Sequence, residues 1–282
     1  MEELKYEKNL FGGKVNFIIY DSKKDDSKKA VEKAFNEGLR LQKIFNFYDD
    51  KSELSRLNKK RKLKVSKELF GVIKKAISLS ELTNGKYDIS IGKKILNRKK
   101  GIEVEINCSY KDIKFNGKRI ELKNEDVLID LGSIAKGYIT DKMADVLKKN
   151  KINEFVIDSR GDMLFCGTFN HLVEIEHPRK KDSSIGSFLI SDKAVATSGD
   201  YNQYTKNFDK SHLINKKNII SATVIADTLE IADLYATALT VSLEKQRKIL
   251  IEKNPKIKFF LVNKNLRIEK SSGWGEVHAK KH

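Results

Sequence analysis

Two cysteines and two prolines are all that this chain of 282 residues holds of either kind. Cys108 and Cys166 lie far apart with no CxxC spacing, so a reduced, cytoplasmic protein is expected rather than a disulfide scaffold. With prolines only at 178 and 255, no Gly/Ser-rich linker and no internal repeat, the chain reads as continuous from end to end. No apolar run approaches the roughly 18 residues that a membrane span requires. The opening MEELKYEKNLFGG, acidic and basic by turns, lacks the apolar stretch of a secretory signal. Acidic residues are the minority charge, 39 against 56 basic ones, giving a net charge of +17.

That excess is mostly lysine in short scattered runs: KKRKLK at 59–64, NRKK at 97–100, RKK at 179–181 and KK at 216–217. Neither exposed aromatics between the runs nor a recognisable RNA module accompanies them, so a solvated lysine-rich surface is expected instead of a nucleic-acid interface. Such a field still attracts a polyanionic ligand such as a dinucleotide, or an acidic partner. A hydrophobic content of 39% with abundant mixed charge marks a globular protein. Its length suits one large domain or two smaller ones.

Periodicity predicts a strand at 15–20, an amphipathic helix at 27–47 and a second helix from Lys67 to Thr83, stopped by Asn84-Gly85. Residues 102–129 read as strand-like, with a hairpin turn at Asn116-Gly117. A helix is expected at 134–149, followed by strands near 154–158, 163–166, 172–176, 187–190 and 219–226. Helices at 229–242 and 244–253 precede a last strand pair around 257–268. Helices grouped among hairpin-like strands indicate α+β or mixed α/β architecture, not a doubly wound nucleotide fold.

The richest segment is DLGSIAKGYITD, Asp130–Asp141, which follows the apolar run VLI. A strand broken at Gly132 and continued as a helix gathers backbone N–H groups and a positive dipole end, a seat for an anion beside Lys136. KSELSRLN, 51–58, reads first as a short helix capped by Ser52, with Glu53 and Asn58. TNGKYDISIG, 83–92, turns at its glycine and places Tyr87 and Asp88 at a strand start. DSRGDMLFCG, 158–167, is another strand followed by a turn. TSGDY, 197–201, is more polar than a plain turn needs, and His212 follows on what reads as the next strand. In IADLYAT, 231–237, Asp233 and Thr237 are four apart on one helical face. A buried carboxylate there needs a partner, and its oxygens suit Mg²⁺ or another hard divalent ion; hydrogen bonds from neighbouring groups are the other way to satisfy it.

In this order the segments resemble the ApbE family, the FAD:protein FMN transferases. The resemblance rests on Ser52–Asn58, Thr83–Asp88, Asp130–Asp141, Ala194–Tyr201 (AVATSGDY) and Ala232–Thr237, with FGG at 11–13 a weak match to an N-terminal MGT; it spans about residues 11–270. It implies a single catalytic unit, or two subdomains around a cleft, of T-fold-related antiparallel sheets with helices packed on them. Residues from about 271 to 282 are expected to form a tail. The implied reaction is Mg²⁺-dependent transfer of the FMN moiety of FAD to a Thr or Ser hydroxyl of an acceptor of the electron-transfer flavoprotein type, releasing AMP. The resemblance assigns catalytic roles to His212 and Asp88, and flavin-nucleotide contacts to Phe11, Lys86, Tyr87, Asp88, Asp130, Lys136, Thr197, Ser198 and Ile214. Ser133, Asp233 and Thr237 become the metal ligands. The chain departs from the pattern where Arg160-Gly161 replaces a glycine pair, and where His212-Leu213-Ile214-Asn215 runs into KKN without the usual Asp, Pro and Thr-Gly. That altered loop leaves FAD hydrolysis to FMN and AMP, or flavin binding alone, as the alternative, and a basic nucleic-acid binder as a more distant one.

Overall fold

A hairpin opens the chain, β1 (Glu3–Leu10) paired with β2 (Gly13–Tyr20), in a computed structural model that describes residues 2–20, 24–200 and 218–274. Helices α1 (Lys24–Phe45) and α2 (Glu53–Lys60), the short strand β3 (Lys62–Lys64), and helices α3 (Lys67–Leu82) and α4 (Gly92–Lys99) come next. The hairpin of β4 (Ile113–Asn116) and β5 (Arg119–Leu122) joins β3 in a small sheet of order β3-β5-β4. After α5 (Ala135–Lys149) come β6 (Phe155–Ser159), β7 (Asp162–Cys166), the paired β8 (His171–Glu176) and β9 (Ser184–Ile190), and β10 (Ala194–Gly199). The chain closes with β11 (Ile219–Ala226), α6 (Leu229–Val241), α7 (Glu244–Lys253), β12 (Lys258–Asn263) and β13 (Ile268–Lys270). The main sheet has the order β1-β2-β6-β7-β10-β11-β12-β13, every neighbour antiparallel. This is the α+β class that the sequence predicts.

Alternation along the strands sends side chains to two cores. Phe17, Ile157, Leu164, Ala196, Val224 and Leu261 face the helices, whereas Val156, Phe165, Val195, Ile225, Phe260 and Val262 pack under the β8–β9 hairpin. With both faces covered, β11 is buried at every residue. α5 packs between α1 and α6, and α6 lies along β10 and β11. No helix among the described residues is long and apolar enough to cross a membrane.

Several expectations are corrected. Of 102–129, only β4 and β5 form a hairpin; Val127–Ile129 is extended but joins no sheet, making a single parallel bridge between Leu128 and Ile91. Tyr87 and Asp88 begin no strand, because the Asp88 carboxylate accepts the Ser90 N–H and turns the chain toward α4. Ser52 does cap α2, accepting the Ser55 N–H at 3.0 Å. Asn58 acts over a longer range, since its amide donates to the Ile129 carbonyl at 2.9 Å and accepts the Ile129 N–H at 2.8 Å. It serves Ile129 as a neighbouring strand would. Of the expected tail, Trp274 stands 5.0 Å from Phe188 between ring centroids, while Ser272 and Gly273 are exposed; 275–282 lie outside the described residues.

Candidate functional site

Asp130 follows directly on the segment that Asn58 holds. Its Oδ1 accepts the Gly132 N–H at 2.7 Å, which reverses the chain, and a Cβ on Gly132 would stand 3.0 Å from that same oxygen. The Leu131 carbonyl then accepts the Ala135 N–H and α5 begins, with no side-chain cap of its own. One amide of its first turn finds a partner on another helix: Gly137 N–H donates to Asp233 Oδ2 at 3.2 Å. This needs α5 and α6 in near contact, and Gly137 permits it; a Cβ there would lie 2.4 Å from the Leu229 carbonyl oxygen. In return Asp141, the last residue of the DLGSIAKGYITD segment, accepts the Leu229 and Glu230 N–H groups at 2.8 and 2.9 Å and caps α6.

Around this junction lies a cavity of about 1310 Å³. Every predicted site residue among the described ones lines it: Phe11, Lys86, Tyr87, Asp88, Asp130 and Ser133 along one part, Lys136, Thr197, Ser198, Asp233 and Thr237 along another. His212 and Ile214 lie outside the described residues. Thr83, at the end of α3, explains the position of Tyr87. Its hydroxyl donates to the Leu79 carbonyl and accepts the Tyr87 N–H at 3.1 Å, folding the chain back around Asn84 and Gly85 at positive φ. The Tyr87 ring is buried, and its hydroxyl shares a 2.8 Å hydrogen bond with Ser133 Oγ. Burial keeps that phenol far above its ordinary pKa, so it stays protonated. Asp88 holds structure together as well as facing the cavity: its two oxygens accept the Ser90 and Tyr110 N–H groups at 2.8 and 2.9 Å. Burial raises the Asp88 carboxyl, and those amides oppose the rise.

The charged centre comprises Lys136, Asp162 and Asp233. Lys136 pairs with Asp162 Oδ2, and the other Asp162 oxygen accepts the Thr197 N–H at 3.1 Å. Burial works against the Lys136 ammonium, but Asp162 and Asp233 outweigh it and hold its pKa above the usual lysine value. Asp233, also buried, is pushed up to about 7, first by desolvation and then by Asp162, with Lys136 opposing. Hydroxyls complete the group: Ser198 Oγ and Thr237 Oγ1 stand 2.9 Å apart, as do Thr197 Oγ1 and Thr223 Oγ1. Among the described residues no three His, Cys, Asp or Glu side chains cluster as a metal site by themselves. What the arrangement offers is one raised carboxylate beside hydroxyl oxygens and a lysine, open to a cavity of dinucleotide size. Sequence reading misses Asp162 and Asn58 as site builders. The Gly-Asp turn of 158–167 signals the first, whereas no local pattern marks the second.

Comparison with known proteins places the chain in one family. The sequence model of the ApbE family matches residues 11–261. A FAD:protein FMN transferase of Buchnera aphidicola subsp. Schizaphis graminum is 26% identical over 254 residues, 79% of this chain and 75% of that protein. One from Vibrio cholerae is 28% identical over 238 residues, 73% and 71% of the two chains. Among solved structures, the ApbE protein of Thermotoga maritima superposes with a TM-score of 0.86 at 24% identity, covering 99% of this chain and 100% of that one. The flavin transferase ApbE from Vibrio cholerae gives 0.79 at 23% identity, covering 98% and 99%.

Proposed function

The chain belongs to the ApbE family, and on that footing we propose that it is an FAD:protein FMN transferase. It moves the FMN moiety of FAD onto a Thr or Ser hydroxyl of an acceptor of the electron-transfer flavoprotein type, and AMP leaves. The observation that carries this reading is the meeting of the Lys136–Asp162–Asp233 centre and the Ser198–Thr237 hydroxyl pair in one cavity with Tyr87 and Phe11.

In the proposed step the acceptor oxygen forms a bond to the FMN phosphorus, and the bond from that phosphorus to the bridging oxygen breaks. The hydroxyl proton goes to a base, for which His212 is proposed, and AMP carries away the electron pair. Phe11, Lys86, Tyr87, Asp88, Asp130 and Ile214 hold the flavin nucleotide in this reading. For Asp88 holding is the better role than proton transfer, since both its oxygens already accept backbone amides. Lys136, kept charged by two carboxylates, presents a fixed cation to the phosphates.

The residues present fit a hard divalent cation. Asp233 Oδ2 accepts the Gly137 N–H, and no hydrogen bond occupies Oδ1 among the described residues. Thr237 lies one turn along the same helix, and Ser133 faces the same cavity. One carboxylate with hydroxyls suits Mg²⁺, which keeps waters and shares its shell with substrate phosphates. When bound, the ion neutralises charge on the pyrophosphate.

Incubation with FAD, Mg²⁺ and an acceptor flavoprotein domain, followed by chromatography of the nucleotides, tests the reading. AMP release that requires both the acceptor and Mg²⁺ is expected. AMP and FMN appearing together at the same rate without acceptor would favour hydrolysis instead.

A further inference from the structure

The turn between β6 and β7 carries a side chain where the backbone favours none. Arg160 has φ 62° and Gly161 φ 90°, in the left-handed region where glycine is at ease and other residues are penalised. Asp158 Oδ1 accepts the Gly161 N–H at 2.8 Å and fixes the turn. The Arg160 side chain lies across Gly13 at the start of β2; a Cβ on that glycine would come 2.9 Å from Arg160 Nε. From there Nη1 donates to the Phe11 carbonyl at 2.7 Å.

The charge on this guanidinium is not matched. Lys136, on the same cavity, is ion-paired with Asp162 and has Asp233 nearby. Arg160 also lines the cavity, yet forms no ion pair among the described residues, and its bond to Phe11 leaves most of its N–H donors uncommitted. A disfavoured backbone conformation, room provided by Gly13 and an anchored, unpaired guanidinium at the cavity edge together form a site for an oxyanion.

We propose that Arg160 is a binding residue that takes phosphate oxygens of the flavin dinucleotide. This rests on the transferase reading and adds a phosphate contact beyond Lys136. Its place beside the Phe11 carbonyl couples that contact to the β1–β2 turn, so the same arginine that reads the phosphate holds one wall of the flavin site.

The test is FAD affinity, read by quenching of flavin fluorescence across a range of ionic strength, for the wild type, Arg160→Gln and Arg160→Lys, with thermal unfolding as the control for folding. Loss of one charge-assisted contact predicts roughly ten- to hundredfold weaker FAD binding for Arg160→Gln and a shallower salt dependence. The lysine variant is expected to recover part of both. Unchanged affinity in Arg160→Gln overturns the proposal. So does weaker binding with the salt dependence intact, which would make Arg160 only a clamp on the Phe11 turn. A wild-type protein that binds no FAD fails the transferase reading itself, an outcome separate from any effect of the substitutions.

Discussion

At Asp233, burial and the Asp162 charge raise the carboxyl, while Lys136 and the Gly137 amide favour its ionised form. Asp233→Asn keeps an oxygen for the Gly137 N–H but removes the charge. Transfer is expected to fall at least about a hundredfold while the fold survives, as activity assays beside thermal unfolding would register. Protons compete with metal for this carboxylate. The Mg²⁺ concentration for half-maximal rate should therefore rise as pH falls through about 7. A requirement for Mg²⁺ that does not change between pH 8 and pH 6 would count against Asp233 as a ligand. The four-residue spacing of Asp233 and Thr237 is visible in the sequence because helical geometry is local. Asp162 is harder to see: it meets Lys136 only after α5 has packed against β7, and nothing near it in the chain announces that partner. Asn58 is misread for a similar reason, since a polar residue in a short helix looks like a cap until a distant strand-like segment needs its amide.

Helix α5 and helix α6 hold each other by two carboxylates, Asp233 on the α5 amide and Asp141 on the α6 amides. Gly137→Ala places a methyl against the Leu229 carbonyl, and the helices must separate. A loss of about 1–3 kcal/mol is expected, seen as a lower thermal midpoint, with transfer activity reduced as Asp233 moves. Asp141 gives a pH test. Desolvation raises its carboxyl from 3.8 to about 6, against the pull of the two amides, so the folded protein binds this proton more tightly than the unfolded chain does. The associated stability is present below about pH 4 and is lost as pH rises through about 6, by up to about 3 kcal/mol. The difference in unfolding free energy between wild type and Asp141→Asn should shift by that order across pH 4–7; a constant difference would contradict it. The long helices are legible in the sequence to within a few residues because their apolar stripes are strong. Four elements escape a reading by pattern: β1, whose ELKYEKNL exposes alternate charged residues at the sheet edge; β3, a three-residue KLK inside a basic run; β10, whose polar TSG looks like loop; and α4, which starts after Ile91 with no capping side chain. Val127–Ile129 carries a strand's composition but finds Asn58 and residues 89–91 in place of a sheet partner.

Across the whole molecule, one eight-stranded sheet separates a helical core from a smaller core under the β8–β9 hairpin, and the cavity opens where the β1–β2 turn, the β6–β7 turn, β10 and the α5–α6 junction converge. The colinear motifs reveal the class and the residues that meet there. How they meet depends on contacts between segments about a hundred residues apart or more, such as Gly137 with Asp233 and Arg160 with Phe11, which no local pattern encodes. The central claim is that these converging segments transfer FMN to protein. It is tested most directly by the intact mass of an acceptor flavoprotein domain after incubation with this protein, FAD and Mg²⁺. A gain of one FMN residue on a Thr or Ser, absent when Mg²⁺ is chelated, is the predicted result; an unmodified acceptor in a mixture where FAD has been bound or split to FMN and AMP would contradict it.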